Sequence, residues 1–189
     1  AAATATGSGT MAVGTGAFSM GGSTRAIGVA SLAVGLDSKT TGSASVAMGN
    51  SAIARAYGSL SIGQFNDSII SSSTSTWVTT DPVFIIGNGI DHVNRSNALT
   101  ILKNARMGIN TSTPDAMLHV VRNAASGGAY HSNSMVIFEG NAHSYVQLST
   151  PNNSENGFLS GNVSTTIRSG IVFAIDSSIS FRAGGNNTR

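Results

Sequence analysis

Glycine recurs every seven residues near the start of the chain, at Gly7, Gly14, Gly21, Gly28, Gly35, Gly42, Gly49 and Gly63, with a lapse at Ala56. A repeated glycine excludes a heptad coiled coil, whose repeated positions must be large and apolar. A stricter unit of fourteen lies over the sevens: Ala17-Phe18-Ser19-Met20-Gly21, Ser31-Leu32-Ala33-Val34-Gly35, Ser45-Val46-Ala47-Met48-Gly49 and Ser59-Leu60-Ser61-Ile62-Gly63. Each reads small, large apolar, small, large apolar, glycine. The half-units between are more polar: Thr24-Arg25-Ala26-Ile27, Ser38-Lys39-Thr40-Thr41 and Ala52-Ile53-Ala54-Arg55.

Alternation with period two places successive side chains on opposite faces of a strand. The spacing therefore predicts two short strands per fourteen-residue coil, one apolar and one polar, with glycine allowing φ > 0 or close backbone approach at the turns. Coils stacked at roughly 4.8 Å form a parallel β-solenoid, and residues 7 to 63 make about four of them, some 19 Å of rise. Phe18, Met20, Leu32, Val34, Val46, Met48, Leu60 and Ile62 then form a stripe that a two-strand roll does not cover. A stripe of that size is an interaction surface, and these eight residues are the expected core of an assembly. A glycine-rich flexible linker is the competing reading, but linkers do not keep large apolar residues in phase.

Composition agrees with a repetitive β architecture. Ser (29), Thr (18), Asn (16) and Gly (23) make up 86 of 189 residues, and aromatics only 6%. Charged residues are 10%, too few for charge-driven disorder. The net charge of +2 comes from scattered basic residues, which form no nucleic-acid stripe. There is no cysteine, hence no disulfide framework, thiol nucleophile or cysteine zinc site. Apolar runs such as Val83–Ile86 are far below the roughly 18 residues that span a bilayer. The chain starts without Met and reads as a piece of something longer.

The segment Ser45-Val46-Ala47-Met48-Gly49-Asn50-Ser51-Ala52 resembles the head repeat of trimeric autotransporter adhesins of the Yersinia-adhesin type, over residues 3 to 63. The resemblance implies a left-handed parallel β-roll, three chains around one axis and a bacterial surface fibre. Thr41 and Arg55 depart from it by standing where an apolar residue is preferred. Further on, Asn97-Ala98-Leu99-Thr100-Ile101-Leu102-Lys103-Asn104, Met107-Gly108-Ile109-Asn110-Thr111-Ser112-Thr113-Pro114 and Leu118-His119-Val120 resemble a shaft module of bacterial and phage trimeric fibres. That resemblance covers residues 81 to 121 and implies an interwoven trimeric β-prism.

The expected organisation is therefore all-β: a head-type roll over 1–63, a neck over 64–80 in which the chain leaves the roll, a shaft module over 81–121 and a further β segment over 122–189. Strands are expected over Val83–Ile86, with a turn at Gly87-Asn88-Gly89. They are also expected over Ser134–Glu139, Ser144–Leu148, Gly157–Leu159, Gly170–Ile175 and Ile179–Arg182. Ala98–Leu102 and Met107–Ile109 read as a hairpin in which Ala105 takes the usual glycine position.

Candidate chemistry is sparse. Asp91, His92 and Ser96 offer triad residue types, but neighbours in a strand face opposite ways. Asn88, Asp91 and Asn94 offer oxygens without an EF-hand pattern. His119 reads as a packed or inter-chain histidine, the alternative being an ion held by three copies at an axis; His131 and His143 read as surface residues. Trp77, Tyr57, Tyr130 and Tyr145 are the aromatics available to a glycan or to junction packing. No cofactor, metal or enzymatic activity is expected. Two hypotheses remain: a segment of an extracellular homotrimeric fibre for attachment to a surface or receptor, or a stand-alone solenoid that binds a glycan or other surface ligand. A Thr-x-Thr ladder for ice is missing.

Overall fold

The computed structural model describes residues 2–125, 129–151, 154–161, 167–174 and 178–183. Among them every regular element is a strand. Two compact units are present, Ala1–Ser144 and Tyr145–Arg189.

The first unit begins as a β-solenoid. Its long strands are β1 (Thr4–Thr6), β3 (Phe18–Gly22), β5 (Leu32–Leu36), β7 (Val46–Asn50) and β9 (Leu60–Gln64), and its short ones β2 (Met11–Ala12), β4 (Arg25–Ala26), β6 (Lys39–Thr40) and β8 (Ile53–Ala54). Long strands pair in parallel with an offset of fourteen, as in Phe18 opposite Leu32 and Val46 opposite Leu60. The short strands do the same, with Arg25 opposite Lys39 and Lys39 opposite Ile53. Ladder bonds such as Phe18 N–H to Ser31 O (2.8 Å) and Arg25 N–H to Ser38 O (2.9 Å) join successive coils. Thr41 and Arg55 leave the register of the short strands undisturbed.

Between the two sheets lie only small residues. Ala17, Ser19, Ala33, Ser45 and Ala47 face Thr24, Ala26, Thr40 and Ala54, all buried. Several hydroxyl groups inside find partners, though that of Ser61 has none: Thr40 donates to Ser31 Oγ at 2.8 Å, and Ser31, Ser45 and Ser59 donate to the carbonyls of Gly28, Gly42 and Ala56. One such bond per coil removes the penalty of a buried hydroxyl.

The heptad glycines divide into two sets. At Gly49 φ is +139°, and a Cβ would sit 1.9 Å from the Gly63 carbonyl oxygen. Gly28 lacks a positive φ but a Cβ there would meet Gly42 O at 2.0 Å, so only close approach demands glycine. Ala56 belongs to the second set and is its last member; an irregular connector rather than another repeat coil lies beyond it, and alanine fits. Gly58 (φ +64°) shares a separate left-handed column with Gly16, Ala30 and Ala44, and Gly9, Ser23, Asp37, Ser51 and Phe65 form the matching column at the other corner.

After β9 the stack continues. β10 (Pro82–Asn88) lies parallel on β9, Phe84 opposite Leu60 and Gly87 opposite Gly63, so Gly87 and Asn88 extend the strand where a turn is expected. Pro82, which cannot donate to a ladder, takes the first strand position. β11 (Asn97–Leu102) and β12 (Met107–Ile109) follow antiparallel, then β13 (Leu118–Val121) and β14 (Val136–Glu139) in parallel, completing a ten-stranded sheet. The expected hairpin forms through a four-residue turn with Ala105 left-handed at φ +66°. Residues 64–80 do not lead away from the roll. Tyr57 N–H bonds to Ser73 O and Ser43 N–H to Thr74 O, both at 2.8 Å, so the connector lies along the corner and completes an enlarged coil.

The second unit is a three-stranded antiparallel sheet of β15 (Asn156–Gly161), β16 (Ile167–Phe173) and β17 (Ile179–Ala183). The edge of the Phe158 ring meets Phe173 at 6.5 Å. Residues 144–148, expected as a strand, are irregular. The ends of the expected Gly170–Ile175 strand and of the chain lie partly outside the described residues.

Candidate assembly surface

The ladder of the ten-stranded sheet lines up three columns. The middle one runs Ala5, Ser19, Ala33, Ala47, Ser61, Ile85, Thr100, Gly108, His119, Ile137 and is buried from Ser19 onward at nearly every rung. The two flanking columns point the other way, out of the sheet. One reads Thr4, Phe18, Leu32, Val46, Leu60, Phe84, Ile101, Met107, Leu118, Val136, and the other Thr6, Met20, Val34, Met48, Ile62, Ile86, Leu99, Ile109, Val120, Phe138. From the second rung on, all eighteen residues are large and apolar.

The eight residues of the expected stripe thus lie on one outward face, and ten more extend it through residues 84 to 138. Phe18 is 38% exposed, Met20 43% and Met48 44%, while Leu32, Val34, Val46, Leu60 and Ile62 are half-buried by their neighbours along the column. Nine apolar rungs at about 4.8 Å make a band roughly 38 Å long. About 10 Å wide, it covers some 400 Å², the scale at which exposed apolar patches mark interaction sites.

Side chains at the far corner of the solenoid close its ends. Asn66 is fully buried; its Oδ1 accepts from Ile53 N–H at 2.7 Å and its Nδ2 donates to Ile53 O at 3.0 Å. A side-chain amide replaces the missing next short strand. Arg95 ties down the 89–96 loop, donating through Nη1 to Ser51 O (3.0 Å) and Asn66 O (3.1 Å). Neither residue is singled out by the glycine period. Asn66 does stand fourteen after Ala52, in phase with the inward positions Thr24 and Ser38, and a large amide among small residues there is a readable signal.

The titratable and aromatic candidates take structural places. Asp91, His92 and Ser96 lie in a loop rather than a strand and do not form a triad. The Asn94 N–H (2.7 Å), the Asn94 side-chain amide and the Val93 N–H (2.8 Å) donate to Asp91 and hold its carboxyl below the usual range, His92 faces Asp37 at 3.6 Å, and Ser96 donates to Asn88 Oδ1 at 2.7 Å. The Asn94 amide occupies both oxygens of Asp91, and among the described residues no three of His, Cys, Asp and Glu converge on a metal position.

His119 lies in the inward column, 2% exposed, so it faces away from the apolar band. Its Nε2 is 3.0 Å from Glu139 Oε2, its Nδ1 accepts from Asp115 N–H at 3.3 Å, and its ring meets Tyr130 edge-on at 5.3 Å. The Tyr130 hydroxyl and the Ala125 N–H, which donate to Glu139, hold that carboxyl below its usual value, and the same contact pushes the Tyr130 phenol up to about 12. Trp77 and Tyr57 flank the Lys103 ammonium at 4.7 and 5.8 Å, a cation–π arrangement that packs the connector. Burial pulls the Lys103 pKa down, with Asp81 opposing. His131, His143 and Tyr145 are exposed.

The class is a repeat-built all-β solenoid with an apolar outer face on its long-strand sheet and a mixed, partly basic one on its short-strand sheet. No protein-family model, curated protein or solved structure matches the chain.

Proposed function

We propose that the chain is a structural segment of an extracellular homotrimeric fibre that serves attachment to a surface or receptor. The observation that carries this reading is the pair of outward apolar columns, unbroken over nine rungs. Their regular spacing along one axis suits a partner with the same repeat, which is a second copy of the chain. A continuous apolar ladder against an identical one buries area at every rung, at about 25 cal/mol per Å². The number three, the left-handed turn of the roll and the interweaving of chains over 81–121 come from the resemblance of residues 3 to 63 and 81 to 121 to trimeric fibre modules. The bacterial surface or phage-particle location belongs to the same reading.

Substitution of Val46 by Asp tests it. Three carboxylates would meet in an apolar seam, each costing several kcal/mol if left charged. Light scattering is expected to show loss of the assembly, and the melting temperature is expected to fall with it. An assembly of unchanged mass would place the seam elsewhere.

A further inference from the structure

The polar outer face of the solenoid carries a basic cleft that the assembly surface does not explain. It lies between the short strands and the 89–96 loop, holds about 170 Å³, and is lined by Arg25, Lys39, Ile53, Asp37, His92 and Arg95 among others. Arg25 and Lys39 are opposite each other on adjacent rungs, so their chains start about 4.8 Å apart. Neither side chain has a hydrogen-bond or ion-pair partner among the described residues. Arg95 is pinned beside them by the Ser51 and Asn66 carbonyls and by the Phe65 ring below it at 5.8 Å. Asp37 is the only carboxylate lining the cleft. Three cations less one anion leave +2 there, equal to the formal charge of the whole chain. Like charges on neighbouring rungs repel, and an anion between them removes that repulsion.

We infer that this cleft binds a carboxylate-bearing sugar of an acidic polysaccharide. Its volume suits one pyranose ring. Arg25 and Lys39 would hold the carboxylate, a charge-assisted contact, and Ile53 offers an apolar floor to a ring face. Asp37, half-exposed and already accepting from Ser51 Oγ at 3.2 Å, can accept from a sugar hydroxyl. The same carboxylate repels a bare dianion such as phosphate, which favours a singly charged acid carrying hydroxyls. The cleft is on the short-strand sheet, whereas the apolar columns are on the long-strand sheet, so the site does not depend on the fibre reading.

Calorimetric titration of the full chain with a glucuronate-containing hexasaccharide tests the assignment. The expected result is binding that weakens with added salt, falls at least tenfold in Arg25→Gln and in Lys39→Gln, and vanishes for the carboxyl-reduced oligosaccharide. Neither substitution removes a bond seen in the fold, and an unchanged melting temperature checks that. The inference is overturned by no binding at millimolar oligosaccharide, by equal binding of the reduced form, or by variants that bind as the parent does. Tighter binding of a sulfated neutral oligosaccharide or of an acidic peptide of equal charge would overturn the carboxylate-sugar assignment as well.

Discussion

The side-chain amide of Asn66 pairs with both backbone groups of Ile53, accepting at 2.7 Å and donating at 3.0 Å, and so ends the short-strand ladder. An open ladder presents unpaired N–H and C=O groups to any other strand. One asparagine closes this edge while the long-strand sheet continues into β10. Replacing Asn66 by Leu removes both bonds, and the expected loss is about 2–3 kcal/mol. Asn66→Asp sets a buried carboxylate oxygen against the Ile53 carbonyl and should cost at least as much. Denaturant unfolding of the three proteins, at one protein concentration, measures the order.

The left-handed columns make a prediction in the opposite direction. Ala44 is held at φ +53°, a conformation that costs a residue with Cβ about 1–2 kcal/mol. Glycine avoids that cost but loses roughly 0.5–1 kcal/mol of chain entropy. Ala44→Gly should therefore stabilise by about 0.5 kcal/mol, a small upward shift in melting temperature. Ala56→Gly, at a position without positive φ, should gain nothing.

Gly49 allows no such exchange. Even alanine would drive a Cβ into the Gly63 carbonyl, and backbone cannot move aside there without breaking the ladder. Gly49→Ala is expected to cost roughly 4 kcal/mol or more, seen as loss of the cooperative melt.

Acid should act through Glu139. Its carboxyl pKa is lowered in the folded chain, first by the Tyr130 hydroxyl and the Ala125 N–H, with His119 adding to the effect. A depressed carboxylate contributes stability that is fully present above its unfolded pKa of about 4.3. That contribution is lost as pH falls through the lower folded value. Melting curves between pH 3 and 6 should show this loss, and Glu139→Gln should flatten it.

Much of the solenoid was legible because a repeat amplifies a weak signal. Phe18, Leu32, Val46 and Leu60 recur at fourteen, and any one of them alone says little. The strand alternation also told which side chains share a face, and the structure extends that face beyond residue 63. What the sequence hid is aperiodic. The enlarged coil between β9 and β10 has an offset of 24, as Leu60 opposite Phe84 shows, so the stack looked as though it stopped. Residues 64–80, rich in serine and threonine, read as a neck because backbone bonds to Tyr57 and Ser43 leave no side-chain pattern, and the side-chain contacts of Asn66 and Trp77 are single and unrepeated. The basic cleft was equally invisible, since Arg25, Lys39 and Arg95 meet only when coils stack and the loop folds back.

If the apolar columns are the seam of a homotrimer, the mass of the native protein shows it. Sedimentation equilibrium of the full chain is expected to give three times the chain mass of 19.1 kDa. Its melting temperature should rise with protein concentration, because dissociation accompanies unfolding. A folded species at the mass of one chain, with a melt independent of concentration, would contradict the account.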